Sequence, residues 1–232
     1  MVTMRSTKRR PAAVLAALAA ALAATACMPR GPAEFNLGRL PGWYRYLAGD
    51  DIRQACAAGG PDRVRFVYNA VWTEQVRAYE LKFADYGAQV DQYVWGPAAL
   101  LAGTTSGPQI RAEKANIGID RARLARLERA MAASDVQGPS PQGKFLRSDN
   151  FYWVVASCRQ GRFHFNAFQA GDGRFEALTF PEQLFEADRT DIAVNRPRRL
   201  DLPPLAGAPD RDDGLIFTVQ VSGESLDVAR WD

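Results

Sequence analysis

The chain has 232 residues, 47% of them hydrophobic, 24% charged and 10% aromatic. That composition fills a core and excludes disordered, collagen-like and disulfide-dense scaffolds, and the length allows one or two domains of roughly 100–200 residues. The net charge of +3 does not identify a polyanion-binding protein. Arg5, Lys8, Arg9 and Arg10 supply the excess, and without residues 1–26 the chain carries 25 bases against 26 acids. On that balance no nucleic-acid partner is expected.

After the basic start, Ala12 to Cys27 is a run of Ala, Leu and Val broken only by Thr25. It is shorter than the roughly 20 apolar residues that span a bilayer, and it reads as a secretory signal peptide over residues 1–26. The segment Leu22-Ala23-Ala24-Thr25-Ala26-Cys27 resembles the lipobox of bacterial lipoproteins. The resemblance implies that Cys27 becomes the first mature residue and carries acyl chains, palmitate among them. It therefore implies a membrane anchor facing the periplasm. Met28 stands where Asp typically marks inner-membrane retention, so the same resemblance favours the outer membrane. The alternative takes Ala24-Thr25-Ala26 as an ordinary signal peptidase site. The chain holds 3 cysteines, and an odd thiol in an exported protein is reactive. Lipidation of Cys27 leaves Cys56 and Cys158 as an even pair, and a disulfide between them is expected in an oxidising compartment.

Residues 27–41 are expected to form a lipid-anchored tether. MPRGPAEFNLGRLP holds three Pro and two Gly without periodicity and extends to at most about 45–50 Å. Residues 42–232 are expected to form a single globular domain. Asp50 or Asp51 N-caps a short helix to about Ala58, stopped by Gly59-Gly60. Strands are predicted over Arg63–Asn69, Glu74–Leu81 and Asp85–Trp95. A tight turn at Asn69-Ala70 would place Arg65 opposite Glu74. Asp120 N-caps the clearest helix, to about Ser134, in which Leu124, Leu127 and Met131 recur at helical spacing.

The strongest β signal is Phe151–Cys158 followed by Arg162–Phe168. With Gln160-Gly161 as a two-residue loop, Cys158, Ala156 and Val154 oppose Phe163, Phe165 and Ala167 on one apolar face. The other face pairs Ser157 with His164, Val155 with Asn166 and Trp153 with Phe168. A turn at Gly171–Gly173 follows, and Pro181 opens a short helix through Ala187. Residues 196–214 read as a long loop, and Leu215–Val221 with Ser225–Trp231 make a final hairpin. The expected class is α+β, an antiparallel sheet of hairpins with one main amphipathic helix packed on it.

Motifs for named chemistries fail on physical grounds. Gly138 to Lys144 matches GxxxxGK, but Phe145 replaces the Mg²⁺-binding hydroxyl and two prolines remove phosphate-cradling N–H groups. Asp210-Arg-Asp212-Asp213-Gly214 begins like a calcium loop, but Gly is fifth rather than sixth and Val221 stands where the closing Glu belongs. His164 is the only histidine and there is no CxxC, so no structural zinc site is expected and no cofactor. A Ser–His site would have to use Ser157 and His164, without a GxSxG elbow. Trp43, Tyr44 and Tyr46 around Arg45 suit an interface or close the core. Trp153, His164, Asn166 and Phe168 form a candidate carbohydrate- or peptide-binding face, unless the 120–134 helix covers it.

The expected function is that of an envelope lipoprotein with a non-catalytic binding or assembly role. Its partners would be the membrane and an envelope protein or cell-wall component. The alternative is an envelope hydrolase acting on glycan or peptide through carboxylates. A cleft with two carboxylates or a Ser–His contact would favour the enzyme, and an open aromatic face or groove without them the binding module.

Overall fold

The computed structural model describes residues 40–96, 112–202 and 216–228. The predicted signal peptide, Cys27, tether residues 28–39, the Asp210–Gly214 turn and the last residues of the final hairpin lie outside them. The described elements are α1 (Leu40–Ala48), α2 (Asp50–Ala57), β1 (Arg63–Ala70), β2 (Gln75–Ala84), β3 (Gly87–Trp95) and β4 (Glu113–Asp120). They continue with α3 (Arg121–Ala133), β5 (Phe145–Arg147), β6 (Phe151–Arg159), β7 (Arg162–Gln169), α4 (Phe180–Ala187), β8 (Thr218–Ser222) and β9 (Ser225–Val228).

Six strands form one sheet in the order β4-β3-β2-β1-β6-β7, with every neighbouring pair antiparallel. The class is mixed α+β. The β6–β7 hairpin has the predicted register, with Cys158 opposite Phe163 and Trp153 opposite Phe168. Its two loop residues Gln160 and Gly161 have φ of 52° and 72°, the left-handed pair that matches strand twist in a tight hairpin.

Both faces of this sheet are covered, so its central strands β1 and β6 and most of β2 are buried nearly end to end. On one face Val67, Val76, Ala78, Trp95, Val154, Ala156 and Phe165 pack with Trp43, Tyr44, Tyr46 and Leu47 of α1 and with Ile52 and Cys56 of α2. A second sheet, β5-β8-β9, adds Leu146, Val219, Val221 and Leu226 to the same core. On the other face Val64, Phe66, Tyr68, Leu81, Val90, Trp153 and Phe168 pack against Leu127 and Met131 of α3 and Phe180 and Leu184 of α4.

Several findings differ from the sequence reading. Among the described residues there are four helices rather than one main one, because the two sheet faces each need a helical cover. Helix α1 begins at Leu40, inside the segment read as tether. Pro41 is tolerated there because a first-turn residue has no intrahelical N–H bond to lose. The third difference is register. Ala70 opposes Gln75 and the connection is Val71–Glu74, which places Arg65 opposite Glu80 rather than Glu74. Val71 takes φ of 61°, a conformation that a β-branched residue rarely adopts. Strand β4, at the sheet edge, has no counterpart in the sequence reading, although Ala115, Ile117 and Ile119 alternate inward with exposed polar residues and Gly118 between them.

Two of the three predicted helix starts hold. Asp120 accepts a hydrogen bond from the Arg123 amide at 2.7 Å, and α4 carries Pro in its first turn. Helix α2 starts differently, since its N-cap is Gly49 at φ 70°. A side chain at Gly49 would run into Ala156 of β6, so glycine lets α2 lie close on the sheet. There Cys56 is joined to Cys158 with a Cα separation of 5.6 Å, inside the range a disulfide bridges.

Candidate functional site

Three of the four residues of the expected binding face are enclosed by the second helical layer. Trp153 is 1% exposed and Phe168 and Asn166 are at 0%. Trp153 stacks on Tyr68 with ring centroids 4.7 Å apart and meets Phe180 edge-on at 5.2 Å. The Asn166 amide faces the carbonyls of Asp135, Val136 and Gly138 at 3.1, 3.3 and 3.3 Å, which ties the loop after α3 to the sheet. Trp43, Tyr44 and Tyr46 also close the core.

The chemistry available at the surface lies in two concavities on the α3/α4 side of the sheet. The first is a cleft of about 630 Å³ whose apolar lining includes the Trp153 edge, Phe175, Leu178, Phe185, Leu200 and Leu202. Glu176, Glu182, Arg198 and Arg199 stand around it. Its far wall is set by a segment without regular structure that the sheet holds by side-chain hydrogen bonds. Arg77, fully buried on β2, donates to Asp188 Oδ2 at 2.5 Å, to the Ile192 carbonyl at 2.5 Å and to Gln75 Oε1 at 2.8 Å. Tyr79 adds a bond to Asp188 Oδ2 at 2.7 Å, and Gln92 receives the Arg189 amide at 2.7 Å while donating to the Ala187 carbonyl at 2.9 Å. Asn195 donates to the Ala70 carbonyl at 2.8 Å. Buried polar groups are tolerated only when hydrogen-bonded, and this network fixes residues 188–195 so that Pro197 to Leu202 border the cleft.

Both carboxylates at the cleft have structural duties. Glu176 receives the amides of Gly171 and Gly173 at 2.7 and 2.9 Å, fixing the turn after β7. Glu182 receives both terminal nitrogens of Arg196 at 2.6 and 3.2 Å.

The second concavity, about 580 Å³, is lined by Glu128, Met131, Asp135, Arg159, Arg162 and His164 among others. His164 is the one member of the predicted face that reaches it. Its side chain is 27% exposed, and its Nδ1 lies 3.9 Å from Glu224. Ser157, opposite His164 in the hairpin, is buried with its hydroxyl lacking a hydrogen-bond partner, so the two do not form a Ser–His pair. Glu128 receives Arg159 at 3.0 Å. Lys144 of the GxxxxGK segment pairs with Asp172.

A third polar cluster is internal. Arg65 donates from Nε to Glu80 Oε1 at 2.8 Å and from Nη1 and Nη2 to Asp51 at 2.8 and 2.7 Å, and Arg63 Nη2 reaches Glu80 Oε2 at 2.5 Å. The Arg65 guanidinium lies 3.8 Å from the Tyr46 ring centre. Burial pushes the Asp51 carboxyl up, but the hydrogen bond and charge of Arg65 with the charge of Arg63 outweigh it and hold the group below its ordinary value. Burial likewise opposes ionisation of Asp188, and its bonds from Thr190 and Tyr79 with the charge of Arg77 bring it below the usual range. These charges clamp α2 and the 188–195 segment to opposite faces of the sheet.

The sequence reading missed the cleft. Its wall comes from residues 196–202, read as loop, and from Phe175, Leu178 and Phe185, whose convergence depends on where residues 188–195 are held. The available local signal was the short alternation of charged and apolar residues over Arg199-Leu200-Asp201-Leu202 after Pro197. Among the described residues no group of three or more His, Cys, Asp or Glu is placed to hold a metal ion, and no helix is long and apolar enough to cross a membrane. Comparison with protein-family models finds none that matches the chain, and comparison with curated proteins finds no similar sequence.

Proposed function

We propose that the chain is an exported bacterial envelope lipoprotein, anchored through Cys27 at the outer rather than the inner membrane, whose domain binds a partner rather than transforming one. The observation that carries the export half is the Cys56–Cys158 bond. It joins two of the three cysteines, leaving Cys27 as the odd thiol in the sequence segment that resembles a lipobox. An oxidising compartment sustains such a bond, and acylation accounts for the remaining thiol.

The binding half rests on the cleft. Its lining is chiefly apolar and aromatic with a charged border, the composition of recognition sites rather than of bare surface. An envelope protein segment or a cell-wall component fits that chemistry. The competing reading, a hydrolase using carboxylates, has Glu176 and Glu182 at the same cleft in its favour. Against it, one carboxylate caps a turn and the other holds Arg196 bidentately, so neither is free to serve a reacting bond.

Metabolic labelling with an alkyne fatty acid tests the anchor. Wild type should take up the label and Cys27→Ser should not, and an unmodified N-terminus at Cys27 in the intact mass sinks the lipoprotein reading. Incubation with peptidoglycan fragments tests the cleft's role. Turnover that is lost in a folded Glu182→Gln protein would replace binding with hydrolysis.

A further inference from the structure

We infer that the solvent face of α3 is a docking surface for an anionic lipid headgroup layer. Helix α3 reads RARLARLERAMAA, and its sole acid is Glu128. Leu127 and Met131 are buried and Leu124 packs beside them, which fixes the inward side. At 100° per residue, Arg121, Arg129, Arg126 and Arg123 then fan over roughly 200° of the outward side. The only other residues on that arc are alanines.

Among the described residues no ion pair ties up the four arginines of this face, and Asp120 at the helix start keeps its charge. Glu128 is held by Arg159 at 3.0 Å, and Asp120 is committed to the Arg123 amide at 2.7 Å. Arg121 bonds the Asp85 carbonyl at 2.9 and 2.6 Å, which orients the guanidinium but leaves its charge. Asp135, just beyond the helix, is the remaining acid near its C-terminal end, and Arg162 stands across the pocket from it. Four arginines without an ion pair on thirteen residues, with Glu128 the one acid of the helix, contrast with a chain that carries 25 bases and 26 acids beyond residue 26.

Two features select a headgroup layer over a small anion. Arg126 and Arg129 lie near the middle of the outward arc with Arg121 and Arg123 at its edges, so the guanidinium groups are spread toward separate phosphates instead of converging on one anion. The intervening alanines add no bulk, so the helix axis can approach that plane closely, within the roughly 8–10 Å over which salt leaves such attraction effective. Basic side chains near an anionic leaflet contribute additively. The choice of a bilayer as the partner rests on the envelope reading above. The 12 residues between Cys27 and Leu40 extend to at most about 40 Å, so an acylated Cys27 would hold the domain within that reach of a membrane.

The test uses residues 28–232, which retain every described element and carry no acyl chain, so its result is independent of whether Cys27 is lipidated. Co-sedimentation with vesicles of phosphatidylcholine containing 30% phosphatidylglycerol should show binding at low salt that is lost at about 0.5 M salt. Vesicles of phosphatidylcholine alone should bind little. Arg126→Glu with Arg129→Glu should weaken partitioning at least about tenfold, with an unchanged circular dichroism spectrum because both side chains are exposed. Ala122→Asp with Ala133→Asp should weaken it comparably while removing no arginine. Equal binding to neutral and anionic vesicles, or undiminished binding by the charge-reversed protein, overturns the proposal. Retention on heparin without binding to anionic vesicles also overturns it, in favour of a polyanionic polymer as partner.

Discussion

Arg65 and Glu80 stand directly opposite each other on β1 and β2, joined at 2.8 Å with side-chain exposures of 2% and 3%. A buried pair adds little beyond an apolar pair of equal size, but removing one partner strands the other charge. Here Arg65 also reaches Asp51 of α2, so a strand pair and a helix share one cation.

Glu80→Leu leaves Arg65 with Asp51 as its remaining anion and should lower stability by about 1.5–3 kcal/mol, while Asp51→Ala, at 36% side-chain exposure, should cost about 1 kcal/mol. Urea unfolding read by the shift in midpoint at constant slope measures both. The pair Arg65→Met with Glu80→Leu should cost less than the sum of its singles, and additive losses would show that the two charges are not coupled.

Acid should unlock both buried clamps. Asp51 and Asp188 have folded pKa values below their ordinary value, as has Asp172, where burial is outweighed by Lys144 and the Phe175 amide. A depressed folded pKa contributes stability that is fully present above the unfolded value, about 3.9 for Asp. That stability is lost as pH falls through the folded values. Melting temperature should be flat from pH 7 to about 5 and fall steeply below about 4. Asp188→Asn should flatten that fall, and an unchanged acid slope would remove Asp188 from the account.

The Cys56–Cys158 bond closes a loop of sequence separation 102, worth roughly 4–5 kcal/mol by chain entropy less any native strain. Both cysteines are buried, at 4% and 1%, so reductant should act on the native protein only through unfolding. Complete reduction in denaturant followed by refolding with blocked thiols should lower the melting temperature by on the order of 10 °C. Free-thiol labelling of the oxidised native protein at both positions would refute the pairing.

His164 is expected to be structural. It is part-exposed at a polar pocket, without Ser157 as a hydrogen-bond partner. His164→Gln should change stability by no more than about 0.5 kcal/mol and preserve partner capture from native envelope. A stably folded His164→Gln protein that has lost all biological activity would move the chemistry to this pocket.

Sequence alone determined what depends on neighbours along the chain. The Gln160-Gly161 hairpin fixed its own register because a two-residue loop leaves one pairing. Asp120 and Pro181 marked helix starts because capping is satisfied within one turn. The leader reading rests on the sequence alone, since residues 1–39 lie outside the described ones. Tertiary structure decided whatever depends on distant partners. A two-residue turn and the observed four-residue Val71–Glu74 connection are both compatible with the same strands, and only pairing across the whole sheet selects Glu80 for Arg65. Strand β4 carries only a short apolar alternation, Ala115, Ile117 and Ile119, and its place at the sheet edge is set by pairing with β3. The aromatic face of Trp153 and Phe168 was legible, but whether it meets a ligand or a helix depends on where α3 and α4 return in space. The cleft arises for the same reason. Arg77 buries a charge on β2 to hold residues more than a hundred positions away, a long-range contact that local periodicity does not encode.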